Sequence, residues 1–313
     1  MAVARGRTVR AATSREPDVL MALDQVTQSE LHPTSLAAFL LLETETLDEW
    51  LVRRPDSPER STIGDFVRKV DYATSLRWVW SDTEYDSHDA NGPVLVQYQS
   101  DSRLSEFFMD PWASMGGAVF LASSRPINEV VAQLRSILFV RMPNGNKARF
   151  RLQETTALAS VLQALEPYRA AALLGPIQEL IWRENLGPEH QWWRYRQADG
   201  PCPVQGGFQF NHSEMTAIDA GLTDQHFRRH VEITRQAPHS FHDDPRQQTR
   251  VWMDHLKSWG FQEFSHLDAA LDAFRHPAYR QCAATVVALL QDTALTPGAR
   301  AARAMNHLMT EGH

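Results

Sequence analysis

Apolar and polar positions alternate most regularly between residues 125 and 152, RPINEVVAQLRSILFVRMPNGNKARFRL. The first half predicts an amphipathic helix opened by Pro126, because apolar residues recur at helical spacing: Ile127, Val130, Val131 and Leu134. The unbroken apolar run at residues 137–140 then predicts a central strand covered on both faces.

A hairpin is predicted next. Asn144 and Gly145 favour a two-residue turn in which both residues take positive φ. After the turn, apolar and basic residues alternate at the period of a strand. One face is apolar and the other carries three positive charges: Ala148, Phe150 and Leu152 against Lys147, Arg149 and Arg151.

The rest of the first half also mixes strand and helix patterns. Apolar runs predict strands at residues 36–42, 94–98 and 118–121, and QWWRYR at 191–196 predicts a closing strand. A helix is predicted at 155–165, and another is predicted to start at Pro176. The fold class that follows is an α/β (α+β) N-terminal lobe with a mixed sheet that contains the hairpin.

Strand patterns end after a stretch rich in glycine and proline, and an all-α C-terminal lobe is predicted beyond it. Ser213 and Pro245 are expected to open helices, and Ser265 with Asp268 is expected to form a capping box. The predicted organisation has four parts: a disordered basic arm (1–35), an α/β domain (36–198), a linker (199–212) and a helical domain (213–313).

Composition narrows the functional classes. The net charge of -7 and the pI near 6.0 argue against a general nucleic-acid binder. Two distant cysteines suggest neither a disulfide framework nor a zinc ribbon, so a reducing compartment is expected. No apolar run approaches a membrane span. The arginine-rich opening segment superficially resembles a transit peptide, and a disordered arm is the favoured interpretation.

Catalytic motifs are absent from the sequence. There is no G-x-S-x-G elbow, no phosphate-binding loop and no paired carboxylates at a telling spacing. The acidic loop at residues 81–92 begins in a calcium-loop register, but Ser87 and Pro93 occupy the positions of the required glycine and glutamate. We therefore expect a solvated loop there, and no catalytic residue or cofactor is predicted.

Histidines offer the one candidate metal site. His226 and His230 lie four apart on a predicted helix, and further donors follow them: His239, His242, Asp243 and Asp244. Arg228 and Arg229, between the two helical histidines, would repel a cation. The prediction is therefore that the chain holds no metal.

Several landmarks occur in the order and spacing of a known family. They are Gly92–Val96, Leu104–Trp112, Arg125-Pro126, Leu134-Arg135, Leu138–Pro143 with Gly145, Phe150-Arg151, and Leu173–Ile177 with Trp182. Residues 36–196, on these landmarks, resemble the effector adaptor (chaperone) family of bacterial type VI secretion, the Tap/VasW-like proteins. The basic arm departs from the family pattern.

The resemblance implies a non-enzymatic factor of the bacterial cytoplasm that binds a cognate effector toxin and helps to place it on the VgrG spike protein. It implies no cofactor, no nucleic acid and no membrane. Two alternatives stay open: an enzyme of unrecognised type with its site in the interlobe cleft, and a structural oligomer component. For the adaptor, Lys147, Arg149 and Arg151 are the candidate partner-binding residues, against the alternative of an ordinary solvated face.

Overall fold

The computed structural model describes residues 22–27, 35–54, 61–186, 189–197, 207–237 and 244–311. Within these ranges, seven strands form one sheet, and every neighbouring pair is antiparallel. In spatial order they are β1 (Ala22–Val26), β9 (Glu189–Arg196), β8 (Glu179–Leu186), β5 (Ala118–Ser123), β2 (Ala37–Leu42), β4 (Val94–Tyr98) and β3 (Leu76–Trp78).

Helices cover both faces of this sheet. They are α1 (Thr44–Val52), α2 (Ile63–Val70), α3 (Arg103–Phe107), α4 (Ile127–Ser136), α5 (Thr155–Ala164) and α6 (Pro167–Leu174). Alternate residues of β2 enter different cores: Phe39 and Leu41 face the side of α4 to α6, while Leu40 and Leu42 face the side of α1 to α3. Burial on both faces explains the continuous apolar run in this strand.

The predicted order of an α/β lobe followed by helices is confirmed. The mixed sheet is wrong, however, because the described pairings are all antiparallel. A helix between strands suggested parallel neighbours. Here α3 joins β4 to β5, which run parallel to each other, but β2 lies between them and pairs with both.

The hairpin forms a separate two-stranded sheet of β6 (Phe139–Arg141) and β7 (Lys147–Arg149). The predicted central strand at 137–140 is therefore wrong: Ile137 caps α4, and Leu138 is buried in the turn that follows. The helix predicted from Pro176 is also wrong. The helix α6 ends at Leu174, its C-cap Gly175 has a φ of 56°, and β8 begins at Glu179.

Residues assigned to the arm and the linker take part in the fold. Residues 22–26, placed in the disordered arm by their sequence, form β1 and pair with β9. Phe208 and Phe210, in the predicted linker, are buried in the core of the α/β lobe. Residues 1–21 lie outside the described residues.

The second lobe consists of α7 (His212–Gln236), α8 (Pro245–Ser258), α9 (Phe264–Arg275), α10 (Tyr279–Gln291) and α11 (Pro297–Glu311). Asn211, rather than Ser213, caps α7 through a capping box with Glu214. Met215, Ile218 and Leu222 of α7 pack against the α/β core, whereas Phe227 packs against the helical core. The helix α7 therefore joins the two lobes. No helix in the described ranges is long and apolar enough to cross a membrane.

Candidate partner-binding surface

The turn of the β6–β7 hairpin spans three residues rather than the predicted two. Met142 N donates to Asn146 O at 2.8 Å, and Gly145 N donates to Met142 O at 2.9 Å. Of the turn residues, Gly145 alone takes a positive φ, 84°, so Asn144 does not form the predicted positive-φ pair. A tight turn closed by a glycine in the left-handed region is a common three-residue hairpin connection.

The predicted alternation along β7 is confirmed. Lys147, Arg149 and Arg151 are exposed, while Ala148 and Phe150 are half-buried against the core and Leu152 is buried. The structure thus brings the three basic residues to one exposed face, although their role in binding a partner stays a prediction.

Arg141 adds a fourth cation that the sequence interpretation did not include. It is exposed and lies directly opposite Lys147 in the β6–β7 register. Two like charges in a direct cross-strand pair destabilise a hairpin. The turn geometry was the missing information, because the register that pairs the two cations depends on the number of residues in the turn.

The four cations define what we call the basic hairpin face: Arg141, Lys147, Arg149 and Arg151. Within the part of the chain that the structure describes, none of them has a carboxylate within ion-pair distance. By contrast, Arg135, on the neighbouring α4, pairs with Asp82 at 3.1 Å. The basic hairpin face thus carries its positive charges without a direct ion pair among the described residues.

Aromatic rings hold two of these cations in place. The guanidinium of Arg149 lies 4.5 Å from the ring centroid of Trp80 and 5.6 Å from that of Tyr85. The ammonium of Lys147 lies 5.8 Å from the ring of Phe139, which stacks on Tyr85. Cation–π contacts restrict the cations without neutralising them.

The neighbours of Arg149 change the pKa of its guanidinium. Burial and the neighbouring Arg151 lower the pKa of Arg149, while Tyr85, Glu43 and Glu45 act in the opposite direction. Removing solvent and adding a like charge both disfavour a cation. A nearby anion would favour the charged form of Arg149 and act against both effects.

Comparison with known proteins gives one match. The model of a family described as a domain of unknown function, DUF4123, matches residues 59–172. No curated protein and no solved structure matches the chain. The DUF4123 match contains the whole hairpin, with Trp80 and Tyr85, and ends within α6.

A second polar cluster lies outside the DUF4123 match, between α7 and α9. His226 Nε2 and His230 Nε2 each lie 2.6 Å from Asp268 Oδ1. The sequence placed the two histidines together but assigned Asp268 to a capping box. That assignment is wrong, since Glu263 is the N-cap of α9. His239, His242 and Asp243 lie outside the described residues, and Asp244 caps α8.

The three side chains could offer ligand atoms to a metal ion, because these atoms lie within 4.8 Å of one another. Their surroundings do not fit one. Arg275 Nη2 lies 2.6 Å from His230 Nδ1, and a guanidinium only donates, so this Nδ1 accepts and Nε2 carries the hydrogen. Binding a metal through Nε2 would place an N–H on Nδ1, facing the Arg275 donor.

The surroundings of His226 do not fit a metal ligand either. Its Nδ1 is buried and has no hydrogen-bond partner among the described residues. Metal-bound histidines normally donate their second N–H to a carboxylate or a carbonyl, and neither is present here. The cluster is better described as a buried hydrogen-bond network than as a metal centre.

The network sets the charge of its members. Burial raises the pKa of Asp268, but hydrogen bonds from His226 and His230 outweigh it and hold that pKa well below its usual range. Burial lowers the pKa of His230 and Arg275 acts in the same direction, against the hydrogen bond to Asp268. These directions favour an ionised Asp268 beside a neutral His230.

A buried carboxylate, Glu184, lies where the two lobes meet, the region in which an enzyme of unrecognised type was expected to have its site. Glu184 of β8 is 2% exposed, and burial raises its pKa. One carboxylate oxygen accepts from Trp193 Nε1 and the other from Gln225 of α7. Through these two hydrogen bonds Glu184 links the sheet to α7. A groove of about 660 Å³ lies within the helical lobe, between α7 and α8.

Proposed function

We propose that this protein is a non-enzymatic adaptor that binds a cognate effector toxin of a type VI secretion system in the bacterial cytoplasm and helps to load it onto the VgrG spike. DUF4123 domains occur in effector adaptors of this system, which supports the proposal for residues 59–172. The VgrG spike and the effector are the two protein partners.

The observation that carries the proposal is the basic hairpin face. Leaving four cations near one another, with Arg141 opposite Lys147, costs folding free energy that a single acidic neighbour would recover. A surface kept in this state is suited to an acidic partner, because complementary charge steers encounter and selects the partner. Recognition through this face requires no catalytic group.

The test uses the tagged full-length protein to retain the products of neighbouring genes. We expect the wild-type chain to retain an effector and a spike protein, and the variant Lys147→Glu, Arg149→Glu, Arg151→Glu to lose the effector.

The matched control is Lys69→Glu, Lys257→Glu, Arg303→Glu, which changes the net charge equally at exposed positions elsewhere. It should retain the effector as the wild type does. If the wild-type chain retains neither an effector nor a spike protein, the adaptor proposal is wrong.

A further inference from the structure

Hydrogen-bond directions in the hairpin leave one backbone edge open. Phe150 N donates to Leu138 O at 2.9 Å, and Met142 N donates to Asn146 O at 2.8 Å. Hydrogen-bonded and non-hydrogen-bonded pairs alternate along an antiparallel ladder. Phe139–Arg149 and Arg141–Lys147 are therefore non-hydrogen-bonded pairs, whose N–H and C=O groups point away from the partner strand.

On the β6 side, the outward backbone groups of Arg141 are hydrogen-bonded to another segment of the chain. Arg141 N donates to Phe208 O at 2.8 Å, and Phe210 N donates to Arg141 O at 2.9 Å. The segment that follows the sheet thus closes this edge in a parallel bridge at Gln209. The outward backbone groups of Arg141 are therefore already paired within the protein.

The β7 side differs. The outward backbone groups of Lys147 and Arg149 make no hydrogen bond to any described residue. The side chains of the same two residues are exposed cations, while Ala148 between them faces the core. An added strand would find two donors, two acceptors and two positive charges at alternate positions.

We infer that an extended acidic segment of the effector adds as a strand to the outer edge of β7, with acidic residues at alternate positions facing Lys147 and Arg149. This inference rests on the proposed function and names its recognition mode. The intervening residue would lie on the side of Ala148, where a small or apolar side chain fits. Main-chain pairing provides affinity in such complexes, and alternate side chains provide specificity.

Two other occupants fit less well. A second copy pairing through the same edge would bring like cations together, which is how charged edge strands prevent self-association. Nucleic acid would use the charges but not the outward peptide groups, and the chain carries a net charge of -7. An acidic peptide uses both features.

The probe is a synthetic peptide with the core Glu-Val-Glu-Val-Glu, added to the full-length protein. We expect hydrogen exchange at the Lys147 and Arg149 amides, followed by NMR, to slow by about tenfold or more at saturation, because both become hydrogen-bond donors in the ladder. The same peptide with alternate backbone nitrogens methylated keeps the charge and should give no protection.

Two variants of Lys147 distinguish the contribution of its backbone N–H to peptide binding from that of its charge. Lys147→Ala removes the cation, whereas Lys147→Pro also removes the outward N–H at an edge position that tolerates proline. We expect the proline variant to bind the peptide about fivefold more weakly than the alanine variant. Exchange in the wild-type protein decides the question even if the proline variant does not fold.

The inference is overturned if the peptide does not bind, if it binds without protecting the two amides, or if a short DNA duplex protects them equally. Failure of this recognition mode is distinguishable from failure of the proposed function. An effector retained by the wild-type chain without protection at β7 would reject the added strand alone, whereas loss of all effector retention would reject the adaptor.

Discussion

The basic hairpin face differs from the histidine cluster, formed by His226, His230 and Asp268, in whether its charged groups have partners of opposite charge. Between α7 and α9, Asp268 accepts from two histidines, and Arg275 donates to His230 and pairs with Asp272. On the hairpin, by contrast, cations face one another or aromatic rings, without a carboxylate partner among the described residues.

This difference distinguishes charged residues that stabilise the fold from charged residues that remain available to a partner. Buried charges are costly unless paired, so the histidine cluster must be complete in the isolated protein. Exposed charges cost much less to leave unpaired than buried ones, which allows a surface to remain available to a partner. We therefore expect changes in the cluster to alter stability, and changes on the hairpin to alter binding.

The largest expected effect on stability comes from Arg275→Met. This substitution removes the guanidinium that contacts His230, Thr234 and Asp272 while keeping much of the side-chain volume. Leaving these groups without their donor should lower the free energy of unfolding by about 3 kcal/mol, as measured by urea denaturation.

Arg303→Met is the matched control, because Arg303 is an exposed arginine of the same lobe, 3.8 Å from Asp292. It should change stability by less than about 0.5 kcal/mol. Equal effects of the two substitutions would show that the cluster is not the buried network described above.

A smaller effect should appear on acidification. Because the pKa of His230 is lowered in the folded state, the unfolded chain binds a proton more readily below about pH 6.5, the ordinary histidine pKa. Folding stability is then full above that pH and falls as the pH decreases. The pKa of Asp268 is also lowered in the folded state, so the unfolded chain gains a proton more readily below about pH 4 and stability falls further.

Thermal unfolding at pH 7.5 and pH 5.5 measures this effect. His230→Gln should lose less stability between the two pH values than the wild type, because glutamine does not titrate. A variant as pH-dependent as the wild type would assign the dependence to other groups.

The smallest effect on stability is expected at the hairpin, and its sign differs from that of the others. Arg141→Glu replaces a like-charge pair with an opposite-charge pair across from Lys147. Stability should rise by about 0.5 kcal/mol in urea denaturation, while effector retention should weaken. A variant that is both more stable and better at binding would contradict the assigned role of this face.

Sequence patterns predicted much of the fold because many elements are buried in a way that local order reveals. The runs at β2, β4 and β5 are apolar on both faces, and the alternation along β7 follows from one-sided burial. Elements defined by distant partners were missed. The strand β1 depends on β9, and β8 lies in a segment whose apolar spacing also suits a helix.

The candidate site was predictable to the same extent. Lys147, Arg149 and Arg151 share a face because a strand alternates, which is local information. The contacts of Arg149 with Trp80 and Tyr85 join segments 69 and 64 residues apart in the sequence, and spacing alone cannot predict them. Asp268 was misassigned for the same reason, since its hydrogen bonds come from α7 rather than from its own helix.

The most direct test of the account is the salt dependence of effector association, measured together with stability. We expect the basic hairpin face to serve a partner rather than the fold. The variant Lys147→Glu, Arg149→Glu, Arg151→Glu should associate at least about tenfold more slowly at low salt, and added salt should no longer slow its association. Its free energy of unfolding should stay within about 1 kcal/mol of the wild type. Unchanged association, or a loss of stability as large as that of Arg275→Met, would contradict the claim.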